Sequence, residues 1–243
     1  MSLFLEVCVK KLKRLVHYFT PAERFLWCLS VLLIIASFLL FDRVNFLTLC
    51  ASLIGVTSLI FNAKGNPIGQ LLMVIFSLLY GIISYTFAYY GEMITYLGMT
   101  MPMALFALIS WLRHPYQGNH AEVEVGTLCG REWRQLIALT TVVTVLFYFI
   151  LAAFHTAHLL PSTLSVTTSF LAVYLTFRRS PYFALAYAAN DVVLIVLWLL
   201  ATAQQLSYLS VVVCFCAFLI NDLYGFISWR HMAQRQALEQ NEP

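Results

Sequence analysis

Residues 207–229, SYLSVVVCFCAFLINDLYGFISW, hold one charged side chain, Asp222, in 23 positions. About 20 apolar residues suffice for a helix to cross the hydrocarbon of a bilayer, so the stretch reads as a membrane span. A carboxylate at that depth costs at least ~2.5 kcal/mol and is usually retained for a substrate path or a partner. Asp222 follows Asn221, and the same dipeptide, Asn190-Asp191, stands one apolar stretch earlier. Two Asn-Asp pairs in neighbouring spans mark a candidate working site.

Seven more stretches of this kind precede it, at 25–41, 44–61, 67–90, 93–112, 135–154, 159–177 and 181–203. Asp191 and Asp222 are the only carboxylates in all eight. With 61% hydrophobic and 10% charged residues over 243 positions, the composition excludes an ordinary soluble domain and requires a polytopic membrane protein. Eight spans place thirteen of the fourteen Lys and Arg on one side, with Arg43 alone on the other. By the positive-inside rule both termini are then cytoplasmic, and one span more or fewer would scatter the charges. The net charge of +3 needs no nucleic-acid partner, because basic loops facing anionic lipid account for it. Cys28, Cys50, Cys214 and Cys216 lie in spans while Cys8 and Cys129 lie on the cytoplasmic side, so the cysteines read as packing residues. Residues 1–24 begin with apolar positions at helical spacing interleaved with Lys10, Lys11, Lys13 and Arg14, an interfacial amphipathic segment leading into the first span. A signal peptide is the alternative; no small-residue cleavage pattern follows Phe41, and we read a retained helix.

Spans 2 to 4 (44–112) and 6 to 8 (159–229) look like two copies of one three-helix unit. A proline opens span 3 (Pro67) and span 7 (Pro181), and Ile-Ser-Trp closes span 4 (109–111) and span 8 (227–229), at offsets of 114 and 118 residues. Proline costs nothing in a first helical turn, so that landmark alone could be coincidence. Copies four spans apart share one orientation, which predicts parallel repeats with a site between the halves near mid-depth, an architecture used by transporters. The expected fold class is all-α and integral to the membrane: a seven-helix core of two three-helix repeats joined by a linker helix at 135–154 (3+1+3), plus an extra N-terminal helix at 25–41. A cytoplasmic loop at 113–134 and a tail at 230–243 complete the chain.

In span 8, Phe218, Asn221, Asp222, Gly225, Phe226 and Trp229 fall on one helical stripe, with Tyr224 beside it. Tyr187, Asn190, Asp191 and Trp198 form a similar stripe in span 7, while Gln70 and Tyr80 in span 3 and Trp111 in span 4 represent the first half. Amides and aromatics facing one another suit a flat polar ring bearing a carboxamide: rings stack on it, and Asn or Gln reads its donors and acceptors. Each of these residues also has a plainer reading. Gln70 could serve only to bond a neighbouring helix, Trp111 and Trp229 could be interfacial belt residues, and the two carboxyls could brace the bundle. His155 and His158 read as solvated loop residues rather than metal ligands. There is no Walker A loop, no His-Glu-x-x-His and no Cys-x-x-Cys, so neither ATP-driven transport nor a zinc protease has support. No cofactor and no metal is expected. The predicted spans also lack Lys and Arg, which disfavours phosphate esters and admits neutral or cationic solutes.

The run Asn221 to Trp229 resembles the Asn-x-x-Tyr-Gly-x-x-x-Trp ending of the PnuC-type vitamin transporters, and Tyr187-Ala188-Ala189-Asn190 with Trp198 is similar to their preceding helix. The resemblance covers spans 2 to 8. It implies facilitated uptake of nicotinamide riboside, with relatives carrying thiamine or riboflavin, a fold similar to the SWEET sugar facilitators, and a homotrimer. The first repeat departs from the pattern: Met103, Ala104, Phe106 and Ala107 stand where the second has Asn221, Asp222, Tyr224 and Gly225. The first half is therefore expected to contribute through span 3 and Trp111. The resulting expectation is a bacterial inner-membrane facilitator for nicotinamide riboside, its substrate trapped by a separate cytoplasmic kinase. A facilitator for another vitamin or a sugar, and an intramembrane enzyme using Asp191 and Asp222 as an acid pair, are the rivals.

Overall fold

The computed structural model describes residues 18–86, 89–156, 158–203 and 205–241. Positions 1–17 of the expected amphipathic segment, Cys8 among them, lie outside the described residues. Among the described residues eight helices are long and apolar enough to cross a membrane: span 1 (Pro21–Asp42), span 2 (Phe46–Ala63), span 3 (Pro67–Thr86), span 4 (Tyr90–Arg113), span 5 (Gly130–Ala153), span 6 (Leu159–Phe177), span 7 (Tyr182–Thr202) and span 8 (Leu206–Gln240). The count matches the sequence reading; several boundaries differ, three of them for a local physical reason. Span 1 begins at Pro21 because Thr20 and Glu23 form a capping box: Thr20 Oγ1 accepts the Glu23 N–H at 3.2 Å and Glu23 Oε2 accepts the Thr20 N–H at 2.7 Å. Span 4 begins at Tyr90, which brings a further carboxyl, Glu92, into the bundle. The helix of span 8 runs on to Asn241, so most of the expected tail is helical. Its 33 residues measure about 50 Å, well beyond the hydrocarbon thickness.

The all-α expectation holds, with one short β-ribbon in addition. Pro115–Tyr116 (β1) and Asn119–Val123 (β2) pair antiparallel in the 113–134 segment. Gln117 and Gly118, both at positive φ (+47° and +78°), turn the ribbon as a two-residue hairpin loop requires.

Spans 2, 3, 4, 6, 7 and 8 close a ring in that order, span 8 returning to span 2. Span 5 packs against span 6, and span 1 lies against spans 2 and 8. Lipid offers apolar side chains no incentive to associate with one another rather than with acyl chains, so close packing and polar contacts must hold the helices together. Gly69 meets Asn62 so closely that a Cβ there would collide with its side chain and backbone. Gln70 Nε2 then donates to Asn62 Oδ1 at 2.8 Å, tying span 3 to span 2. Span 1 is fastened by Glu23, which is 2% exposed and accepts from Lys64 Nζ at 3.2 Å and from the Tyr224 hydroxyl at 3.3 Å.

At the end of the bundle that carries residues 18 and 241, called here the terminal end, one pattern of contacts occurs twice. After span 2, Gly65 N–H donates to Asn62 O and Asn66 N–H to Phe61 O, at 2.9 and 3.0 Å; after span 6, Arg179 N–H donates to Thr176 O and Ser180 N–H to Leu175 O, at the same distances. Gly65 and Arg179 both adopt left-handed φ, +66° and +57°, the usual way to stop a helix, and Pro67 and Pro181 follow. The Ile-Ser-Trp motifs supply the remaining bonds crosswise. Ser228 Oγ and Trp229 Nε1 donate to Ala63 O and Asn62 O at 2.8 and 2.7 Å, while Ser110 Oγ and Trp111 Nε1 donate to Phe177 O and Thr176 O at 3.0 Å each. Each motif thus adds a side-chain donor to helix-end carbonyls, the serine to Ala63 O or Phe177 O and the indole to Asn62 O or Thr176 O, which also accept a turn N–H. Between them the two indoles, both fully buried, stand 5.3 Å apart, with Phe183 edge-on to each.

The segment after β2 lies across this end as a strap. Val123 N–H donates to Gly65 O at 3.0 Å and Gly126 N–H to Arg179 O at 2.9 Å. A Cβ on Gly126 would collide with the Arg178 carbonyl, so that approach needs glycine. The extension of span 8 holds the strap down: Gln236 Oε1 accepts the Val125 N–H at 2.8 Å, Gln236 Nε2 donates to Val123 O at 3.1 Å, and Arg235 pairs with Glu122.

A candidate binding cavity inside the ring

A small void lies inside the ring, between the Trp111–Trp229 contact and an aromatic cluster toward the opposite, far end. All six ring helices line it. Leu59 comes from span 2, Met73 and Phe76 from span 3, and Tyr96 and Thr100 from span 4. Span 6 gives Ser169, span 7 gives Tyr187, Asn190 and Asp191, and span 8 gives Phe215, Phe218 and Asp222. Its free volume is about 20 Å³, room for about one water molecule. No Lys or Arg touches it, and no group of three or more potential metal ligands occurs among the described residues.

The walls are rings and the rest is polar. Phe76 stands 5.5 Å from Phe218 and 6.1 Å from Tyr96, and Phe215 packs edge-on to Phe218 at 5.6 Å. Asn190 is fixed by two hydroxyls of span 6, its Oδ1 accepting from Thr168 Oγ1 at 2.8 Å and Ser169 Oγ at 3.0 Å. Asp191 and Asp222 interact side by side, with Tyr187 close to both. Asp191 Oδ2 has no hydrogen-bond partner among the described residues although it is buried. Toward the far end Trp198 Nε1 donates to the Tyr80 hydroxyl at 2.6 Å, and the Tyr80 ring lies tilted against Tyr96 at 4.3 Å, closing the cavity.

Of the residues singled out in the sequence, Tyr187, Asn190, Asp191 and Asp222 meet at this cavity, and Tyr80 and Trp198 cover it. The other five stand elsewhere. Gln70 bonds Asn62. Asn221 turns outward, its Nδ2 donating to Ser30 Oγ of span 1 at 2.9 Å and to Ala217 O at 2.7 Å. Tyr224 reaches Glu23. Trp111 and Trp229 form the braces of the terminal end and, being fully buried, are not belt residues either. The first half therefore reaches the cavity through Phe76, Tyr96 and Thr100 rather than through Trp111. Tyr96 and Thr100, spaced i and i+4 in span 4, and the hydroxyl series Ser165, Thr168 and Ser169 in span 6 carried the signal that sequence reading passed over.

Asp191 and Asp222 interact directly, so the arrangement of the site alone does not separate a carrier from an enzyme. Similarity to known proteins does. The chain is 28% identical over 218 residues to the nicotinamide riboside transporter PnuC of Neisseria mucosa, covering 87% of this chain and 82% of that one. It is 24% identical over 192 residues to the protein of the same name from Haemophilus influenzae, covering 79% and 82%. A crystal structure of the vitamin B3 transporter PnuC superposes with a TM-score of 0.78 over 90% of this chain and 94% of that one, at 24% identity, and shares the fold. The model of the nicotinamide mononucleotide transporter family matches residues 45–231. That match takes in spans 2 to 7 and span 8 as far as residue 231, far more than half the sequence; the chain belongs to this family of membrane transporters and is not an enzyme.

Proposed function

We propose that the protein carries nicotinamide riboside across the bacterial inner membrane by facilitated diffusion, with both termini in the cytoplasm. The carrying observation is the cavity: six helices converge on a site of rings, one oriented amide and two carboxyls, with no base. Nicotinamide riboside matches these in turn, offering a flat pyridinium to the rings, a carboxamide to Asn190, and a positive charge to the Asp191–Asp222 pair. The volume of about 20 Å³ admits no such solute, so binding separates the lining helices, and a cavity closed at both ends opens to one side at a time. Spans 2 to 4 and 6 to 8 serve in this reading as parallel copies of one unit, the duplicated turns and crosswise Ile-Ser-Trp bonds supporting it. The broad apolar faces left by spans 1 and 5 are available to lipid and to neighbouring protomers of a homotrimer. A separate kinase would hold the product inside, since phosphate would re-enter a site without a counter-charge.

The test is uptake of labelled riboside into proteoliposomes containing this protein alone. Intact riboside recovered from the lumen without an imposed ion gradient is the expected result; altered product or a required gradient would overturn it.

A further inference from the structure

Glu92 takes no part in the cavity, yet it is 2% exposed and buried inside a membrane bundle. It sits one helical turn before the lining residue Tyr96, and it faces Ser165, one turn before the lining residue Ser169. The two therefore form the layer next to the cavity on the far side. None of the ion pairs among the described residues includes Glu92, and its Oε2 has no hydrogen-bond partner among them. Glu23, buried to the same extent, is by contrast matched by Lys64. A buried carboxyl without a counter-ion is expensive in a membrane and is usually retained for a substrate path or a partner. A ladder of rings passes the same point: Tyr208 to Trp198 at 5.6 Å, Tyr89 to Trp198 at 4.9 Å, Trp198 to Tyr80 at 6.3 Å and Tyr80 to Tyr96 at 4.3 Å. Tyr80, Tyr89 and Tyr96 all lie within electrostatic reach of Glu92. Rings beside a carboxyl form a surface for a flat cation, attracted by the ring faces and by the negative charge together.

We propose that Glu92 is a docking point for the positive charge of aromatic cations entering from the far end, and selects them over neutral rings of the same shape before they reach the Asp191–Asp222 pair. This rests on the transport reading above and adds a residue and a selection rule to it.

The test compares nicotinamide riboside, a pyridinium cation, with its reduced dihydropyridine form, which keeps the carboxamide and the ribose and is neutral. In proteoliposomes containing the full chain, KM is measured for the riboside and the inhibition constant for the neutral form, in wild type, Glu92→Gln and Glu92→Asp. Glu92→Gln is expected to weaken the cation about tenfold while moving the neutral form less than about twofold, and Glu92→Asp to give a smaller shift of the same sign. Equal weakening of both forms, which a bracing bond to Ser165 would give, or no shift in either, overturns the proposal. If Glu92→Gln yields no folded protein, Glu92→Asp decides by the same comparison. Wild-type protein that carries no riboside brings down the transport reading and this inference with it; wild type that carries riboside while Glu92→Gln weakens both forms alike brings down this inference alone.

Discussion

Asn190→Ala and Asn221→Ala remove chemically identical groups one span apart, and their positions predict opposite phenotypes. Asn190 lines the cavity, held by Thr168 and Ser169 through its carbonyl oxygen, so the amide is oriented toward a guest before any guest arrives. Losing it strands a buried polar group of the solute, a cost of ~1–3 kcal/mol, or roughly 5- to 150-fold in Kd. The protein itself loses little. Thr168 Oγ1 also reaches Leu164 O at 3.0 Å and Ser165 O at 3.1 Å and keeps those partners when the amide is gone. Asn221 faces the other way, bonded to Ser30 of span 1. A single interhelical bond of this kind contributes on average ~0.6 kcal/mol in a membrane, so Asn221→Ala should lower the melting temperature slightly and leave Kd within about twofold. Calorimetric titration of the purified variants with riboside, beside thermal unfolding, reads both quantities. The reasoning fails if Asn221→Ala loses affinity as strongly as Asn190→Ala, or if Asn190→Ala binds like wild type.

Three further outcomes follow from the same geometry. Nicotinamide mononucleotide should bind at least about a hundredfold more weakly than the riboside, because its phosphate would meet two carboxyls and no base; comparable heats of titration would refute this. Trp111→Phe and Trp229→Phe should each cost about 1 kcal/mol in thermal stability, the low end for a lost buried donor, because Thr176 O and Asn62 O still accept the Arg179 and Gly65 N–H groups; losses that differ severalfold between the two would deny the crosswise equivalence. Asp222→Asn keeps shape and hydrogen bonding while removing charge, so uptake should persist at raised riboside concentration; a loss of ~10²-fold or more in maximal rate would point to acid chemistry instead.

The number of spans could be read from where charges are missing, because a bilayer penalises a misplaced charge far more than a soluble core penalises a misplaced methyl. The inward-facing side of each helix could not. In span 8 every face is apolar, and Asn221 and Asp222, being adjacent, point about 100° apart on a helix. Asp222 took the cavity and Asn221 the neighbouring helix, a choice fixed by where span 1 packs. The Ile-Ser-Trp repeat was visible as a motif, but its work at helix ends was not, since the carbonyls it satisfies lie on spans from the other half of the chain. Glu92 stands immediately before the apolar run 93–112, so apolar length alone leaves it outside span 4, although the helix starts at Tyr90. The β1–β2 ribbon was hidden by its brevity.

The strap at the terminal end acts as a tie rod. Val123 and Gly126 are three residues apart, a reach of at most about 10 Å even when fully extended, and their N–H groups grip Gly65 and Arg179, matching turns on opposite halves of the ring. The two turns cannot spread beyond that reach and the length of the two hydrogen bonds while both grips hold. Any solute passing this end must therefore wait for a grip to break or for the halves to pivot about the rod, so the tie sets the pace of passage here. Lengthening the tie by a residue or two should speed departure without altering how tightly the closed cavity holds its guest.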